Sequence, residues 1–265
     1  MGPSALPTKF FSAEYLFVGT VKTKSDKIFD NYGNLAYRYT FESLTPLKGS
    51  PPKIQEKTFE ADSAACGGEY SQGDIKIFSG SKQTGIELGA CSNILPDSKA
   101  HRDVFKALAS GTKSPDSKAF WKELRTLRAK KDYEKAYHHL LNISTMPKDF
   151  GHYLIEYGLV QAKRGNYKEA SASSYDIIYN NNYSRYSNVA NYNLACYTAL
   201  GRQDYPTVSS ILSNLSDNLT TDRQRLRYWN LIKTDQDLAG FRQAAPKLFR
   251  NVLYKLASRY KKSSH

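Results

Sequence analysis

The stretch Asp132-Tyr133-Glu134-Lys135-Ala136 returns as Asn166-Tyr167-Lys168-Glu169-Ala170, an offset of 34 residues. A shorter echo, Asp204-Tyr205-Pro206, puts Tyr205 38 residues after Tyr167, and a weaker one, Asp237-Leu238-Ala239, puts Leu238 33 residues after Tyr205. A period of this length marks stacked supersecondary units, none of which can bury its apolar face alone. Each copy follows a short break and opens a run with helical spacing. Phe120, Leu124 and Leu127 form one stripe before the first break at Lys131-Asp132, and residues 133–143 repeat the pattern after it. The unit is a pair of short helices.

Upstream the period changes from helical to two. Tyr37, Tyr39 and Phe41 alternate with Arg38, Thr40 and Glu42, which reads as a half-buried strand. Further strands are expected over 15–23, 53–60, 74–80 and 83–88. Turn formers separate them: Asn31-Tyr32-Gly33-Asn34, Lys48-Gly49-Ser50-Pro51-Pro52 and Ser71-Gln72-Gly73. Five strands in so short a stretch suit a small β-barrel better than an open sheet with bare edges. The 265 residues therefore divide into two modest domains, 10–97 and 98–265. The fold class expected is two-domain β + α: a small barrel followed by an all-α helical solenoid.

Charge follows the same division. The net +13 suggests an anionic partner, but residues 1–97 hold 10 Lys and Arg against 11 Asp and Glu, while residues 98–265 hold 28 against 14. The whole excess lies in the helical part. A hydrophobic content of 40% suffices for a packed core. The longest apolar runs, such as Tyr15-Leu16-Phe17-Val18, fall far short of the roughly 18 residues that span a bilayer, so no membrane span is expected.

The helical part resembles the tetratricopeptide repeats. Glu156-Tyr157-Gly158-Leu159 followed by Arg164-Gly165-Asn166-Tyr167-Lys168-Glu169-Ala170 is similar to that family's first helix, tight turn and second helix, as is Tyr192-Asn193-Leu194-Ala195-Cys196 with Leu200-Gly201-Arg202. The resemblance implies repeats near 118–150, 151–185, 188–219 and 220–245 with a capping helix over 246–262. Small residues at Gly158, Ala170 and Ala195 would let helices approach, while the aromatic after each turn plugs the joint. The third repeat is longer and carries Pro206, so local distortion is expected there.

The first part resembles the netrin-like module, an OB-type barrel that includes the tissue inhibitors of metalloproteinases. The carrying residues are 13–21, Tyr39-Thr40-Phe41 with Leu47-Lys48-Gly49, Cys66-Gly67-Gly68, Gly73-Asp74-Ile75-Lys76-Ile77-Phe78 and Cys91-Ser92. The resemblance implies a disulfide between Cys66 and Cys91, which by loop-closure entropy would contribute roughly 3 kcal/mol; two buried thiols are the alternative. A structural disulfide would place the protein in the periplasm or outside the cell. The opening Met1-Gly2-Pro3-Ser4 has no apolar run and reads as a scar ahead of a mature start, its signal peptide already gone. Zinc chelation of the inhibitor kind needs an N-terminal cysteine, and none precedes Cys66.

Catalytic chemistry finds little support. His138 and His139 are adjacent on a helix and point about 100° apart, and neither His-x-x-x-His nor Cys-x-x-Cys accompanies them. Phosphate-loop, dinucleotide and Gly-x-Ser-x-Gly patterns are absent. Cys196 reads as a small core residue. No catalytic residue, metal or cofactor is expected. A near-neutral barrel with inward aromatics argues against nucleic acid.

A protein or peptide partner remains, taken on the first helix of each pair, where such solenoids present a concave face. That places Trp121, Arg125, Arg128, His152, Glu156, Tyr192 and Asn193 on the surface, with Arg223, Arg227 and Lys233 from the fourth pair. The basic excess favours an acidic segment. The expected function is a non-enzymatic secreted or periplasmic adaptor or assembly factor. The alternative is neutralisation of a secreted hydrolase or toxin through the barrel.

Overall fold

The structure, a computed structural model, describes residues 4–29, 35–60, 70–86 and 95–262. It comprises an antiparallel sheet followed by helices and divides into two compact units: Met1–Trp121 with His138–Met146, and Lys122–Tyr137 with Pro147–His265. Cys66 and Cys91 lie outside the described residues.

In the first unit, helix α1 (Leu6–Ser12) precedes seven strands: β1 (Tyr15–Lys24), β2 (Ile28–Phe29), β3 (Leu35–Lys48), β4 (Ile54–Glu60), β5 (Ile75–Ser81), β6 (Gly85–Ile86) and β7 (Leu95–Pro96). The order is β2-β3-β1-β5-β6, with β4 also on β3 and β7 also on β5. The long β3 serves both neighbours, setting Phe41 opposite Gln55 of β4 and Val21 of β1. Three register shifts along the β1–β3 ladder add local twist. The sheet is not closed: among the described residues no backbone ladder joins β4 to β6. A side chain reaches across that gap instead, Lys57 Nζ of β4 donating to the carbonyl of Thr84, just before β6, at 3.0 Å, while the Tyr15 hydroxyl of β1 donates to Gln55 Oε1 of β4 at 2.8 Å.

Alternation along β3 turns Tyr37, Tyr39 and Phe41 inward, all buried. Phe78 lies between two rings, 5.5 Å from Phe17 and 5.0 Å from Phe41. Burying each such ring contributes roughly 1.5–3 kcal/mol. Pro7 falls in the first turn of α1, where no N–H partner is lost. At the other end of α1, Lys48 Nζ donates to the carbonyls of Phe10, at 2.6 Å, and of Ala13, a cation at the negative pole of a helix. Burial there lowers the Lys48 pKa. Helix α2 (Lys99–Ala109) packs its Phe105 ring 6.3 Å from that of Phe10.

Helices α3 (Lys118–Ala129) and α4 (Tyr133–Leu141) each have residues in both units. The rest belong to the second unit: α5 (Phe150–Lys163), α6 (Tyr167–Ile178), α7 (Ser187–Gly201), α8 (Tyr205–Asn218), α9 (Asp222–Thr234), α10 (Ala239–Ala244) and α11 (Pro246–Lys262). Among the described residues none of these helices is long and apolar enough to cross a membrane.

The repeated sequence corresponds to a repeated turn. Lys131, Gly165 and Gln203 take positive φ angles of 57°, 80° and 53°. Each is followed by an Asp or Asn and then by the tyrosine that starts the next helix. In the first two turns the hydrogen bonds match: Lys131 N–H to Arg128 O and Asp132 N–H to Leu127 O, then Gly165 N–H to Ala162 O and Asn166 N–H to Gln161 O. This is the left-handed helix end in which two otherwise orphaned carbonyls are satisfied. The third turn is wound differently, Gln203 N–H reaching Thr198 O. Distortion in that pair is confined to the turn, because Pro206 occupies the first turn of α8, where Asp204 accepts from Thr207 N–H. Next to the turn, Tyr167 fills a joint that admits no extra atom: a Cβ on Gly201 would lie 2.7 Å from that of Tyr167.

Candidate functional site

Basic residues of the first helices converge on a cleft between α3 and α5. It encloses about 430 Å³ and is lined by Arg125, Arg128, Ala129, Tyr133, Leu159 and Lys163. Helical spacing explains the convergence: Arg125, Arg128 and Ala129 lie within one turn on α3, as do Leu159 and Lys163 on α5. Tyr133 joins them because the turn at Lys131 delivers it to the start of α4.

Arg128 pairs with Glu156 of α5. Lys163 Nζ lies 3.7 Å from Asp237. Arg125 is exposed and has no ion pair among the described residues. The cleft thus holds three cations and an apolar floor, with two carboxylates engaged at its margins.

Buried on α7 are two tyrosines and one thiol. The Tyr192 hydroxyl donates to Asp235 Oδ2 at 2.6 Å. Tyr197 is buried and its hydroxyl has no hydrogen-bond partner among the described residues. Burial first, then the nearby Cys196, Asp237 and Glu156, raise its pKa, while Arg128 opposes. Burial likewise pushes the Cys196 thiol up, reinforced by Asp235 and Asp237. A thiol held protonated in a helix interior is not a nucleophile.

The residues expected at the surface separate into groups. Arg125 and Arg128 come together at the cleft, with Glu156 tied to Arg128. His152 shares their α5 stripe one turn before Glu156, its ring stacked 6.3 Å from Tyr186. Tyr192 and Asn193 are buried, so the expected surface loses both to the interior. Trp121 belongs to the first unit, its ring edge-on to Phe120 at 5.1 Å. Arg223, Arg227 and Lys233 lie on the exposed side of α9, opposite the buried Tyr228 and Ile232, and do not line the cleft. Lys233 Nζ rests 4.7 Å from the Trp229 ring centre.

Lys163 and Tyr133 were missed as lining residues. The signal for Lys163 was its spacing of seven from Glu156, which returns it to the same helix face. Among the described residues no three His, Cys, Asp or Glu side chains gather as metal ligands. No protein family matches the chain, and no curated protein matches it.

Proposed function

We propose that the protein is a secreted or periplasmic recognition factor without a catalytic step of its own. Its helical unit, read as a tetratricopeptide-like solenoid, takes an acidic peptide segment of another protein. The observation that carries this reading is the cleft itself, with Leu159, Tyr133 and Ala129 as an apolar floor and Arg125, Arg128 and Lys163 around it. A peptide with an aliphatic side chain between carboxylates would satisfy both. Glu156 and Asp237 already engage two of the cations, so ligand carboxylates would compete with internal ones, and Arg125 is the natural first contact. The sheet unit is read as an opened netrin-like barrel, and export rests on the Cys66–Cys91 bridge, which non-reducing mass mapping checks directly.

The test uses fluorescein-labelled acidic nonapeptides with one central Leu among Glu and Asp, followed by anisotropy on the full chain. Arg125→Glu with Lys163→Glu should weaken binding at least about tenfold, the worth of one lost charge-assisted contact, with an unchanged circular dichroism spectrum. Unaltered affinity in that variant, or no binding by the parent protein, rejects the reading.

One observation favours a second reading, neutralisation of a secreted hydrolase or toxin through the sheet. Ile54, Glu42, Thr20 and Ile75 stand opposite one another across β4, β3, β1 and β5, and both isoleucines are exposed. Exposed apolar side chains on a sheet face are contact material. If the partner docks there, Ile54→Glu with Ile75→Glu should abolish capture, and the Arg125 variant should not.

A further inference from the structure

The second unit has another concavity, formed by α6, α7 and α8. It is a groove of about 500 Å³ with an apolar floor of Ile178, Leu194 and Ile211, a size that suits a small ligand. One wall is a pair of tyrosines a helical turn apart. The rings of Tyr175 and Tyr179 lie 5.9 Å apart with planes only 8° from parallel, and Tyr179 is 63% exposed. The near-parallel, offset packing against Tyr175 restrains the outer ring, whose exposed face is available to a ligand.

The other wall is polar, and its one carboxylate is ion-paired. Asn191, Asn214 and Asn218 contribute carboxamides, and Asn214 and Asn218 are exposed. Asn191 Nδ2 donates to the Ser187 carbonyl at 2.9 Å, which keeps its Oδ1 available as an acceptor. The one ionisable carboxylate on the lining, Asp217, lies 2.8 Å from Lys255 Nζ. In a chain of net charge +13 this lining is close to neutral.

A ligand that fits must cover an aromatic face and also exchange hydrogen bonds with amides. A purely apolar ligand would strip water from the carboxamides and return nothing. A charged one would find no opposite charge that is not already paired. A pyranose ring meets both demands. Its C–H face carries partial positive charge toward the negative face of an aromatic ring, and each rim hydroxyl both donates and accepts, as a carboxamide does. We propose that the groove on α6, α7 and α8 binds a neutral oligosaccharide, with one pyranose ring on Tyr179 and its hydroxyls on Asn191, Asn214 and Asn218.

The experiment is affinity electrophoresis of the full chain through native gels containing glucomannan, arabinoxylan free of uronic acid, mixed-linkage β-glucan or dextran, with alginate as the anionic control. Retardation is expected in at least one neutral gel. Tyr179→Ala should raise the dissociation constant about tenfold, as expected for loss of a stacking partner, while Tyr179→Phe retains binding because the ring face survives. Asn214→Ala should weaken it less. Arg125→Glu with Lys163→Glu should leave retardation unchanged, which separates this site from the acidic-peptide cleft. Three results overturn the proposal: no retardation in any neutral gel, retardation indifferent to Tyr179→Ala, and retardation by alginate alone that about 0.5 M salt removes. Selection of an uncharged peptide from a library, dependent on Tyr179 and not displaced by any of the neutral polysaccharides, would also overturn it in favour of a protein ligand.

Discussion

In the sheet unit the space between strands is filled by rings, with Phe78 between Phe17 and Phe41 and with Tyr37 and Tyr39 alongside. In the helical unit one joint is closed where a ring meets almost nothing, Tyr167 against Gly201, and the buried positions around it include Ala162, Ala170, Ala195 and Ala199. The Phe78 layer depends on a large side chain that must be present, the Gly201 joint on a small one that must not grow. The two places therefore answer to opposite kinds of substitution: truncation damages the first, and enlargement damages the second.

The largest expected effect is on the sheet side. Phe78→Ala should cost about 3–5 kcal/mol by leaving a cavity between Phe17 and Phe41. Hydrogen exchange should accelerate in β1, β3 and β5 while α5 through α8 keep their protection. Equal acceleration in both units would break the contrast and make the chain one cooperative block. Next comes the opposite change. Gly201→Val should cost about 1–3 kcal/mol through overpacking against Tyr167, and Tyr167→Ala in the same chain should recover part of it. Strict additivity in that double-mutant cycle would mean that the joint is not where the strain arises.

A smaller effect concerns the cap that starts α5. Asp149 accepts from His152 N–H at 3.2 Å, from Arg185 at 2.7 Å and from the Tyr186 hydroxyl. Partial burial pushes its carboxyl pKa up, but these bonds outweigh that and hold it below the usual carboxylate range. A depressed pKa stabilises the fold above the unfolded value and ceases to do so as pH falls through the folded one. Asp149→Ala should thus cost about 1 kcal/mol at neutral pH. The gap to the parent protein should begin to narrow below about pH 4, where the unfolded carboxyl protonates, and close once the pH has fallen below the depressed folded value. A gap that persists at low pH would assign the effect to packing.

The smallest effect has the opposite sign. Lys131 and Gln203 hold left-handed backbone angles that favour glycine, so Lys131→Gly and Gln203→Gly should each stabilise by about 0.5–1 kcal/mol in thermal denaturation. Gly165→Ala should lose about as much. No change at Lys131 would show that its long side chain offsets the backbone cost.

These differences also explain what could be read from the letters. The helix pairs were legible because their turns need particular residue types: Asp132, Asn166 and Asp204 before Tyr133, Tyr167 and Tyr205. Strand β3 was legible from alternation, and β1, β4 and β5 from short apolar and β-branched runs set between turn formers. Strands β2 and β7 have two residues each and carry no period, and α1 is a single short helix. Closure of the sheet was not legible either, since it depends on whether β4 and β6 meet edge to edge, and here a single side chain, Lys57, reaches across that gap. At the cleft, charge and spacing found Arg125 and Arg128. They misplaced Tyr192 and Asn193, because the buried and open sides of α7 are hard to tell apart when nearly every residue from Tyr192 to Ala199 is buried.

The chain leaves the first unit after Trp121, returns at His138 and leaves again after Met146. A gene cut at any single codon therefore never yields both units whole. Ending translation after Asp97 discards the 138–146 segment, and starting at Ser98 strands the residues up to Trp121 without the sheet they are grouped with. Separating the contributions of the two units calls for point substitutions in the intact polypeptide rather than for halves expressed apart.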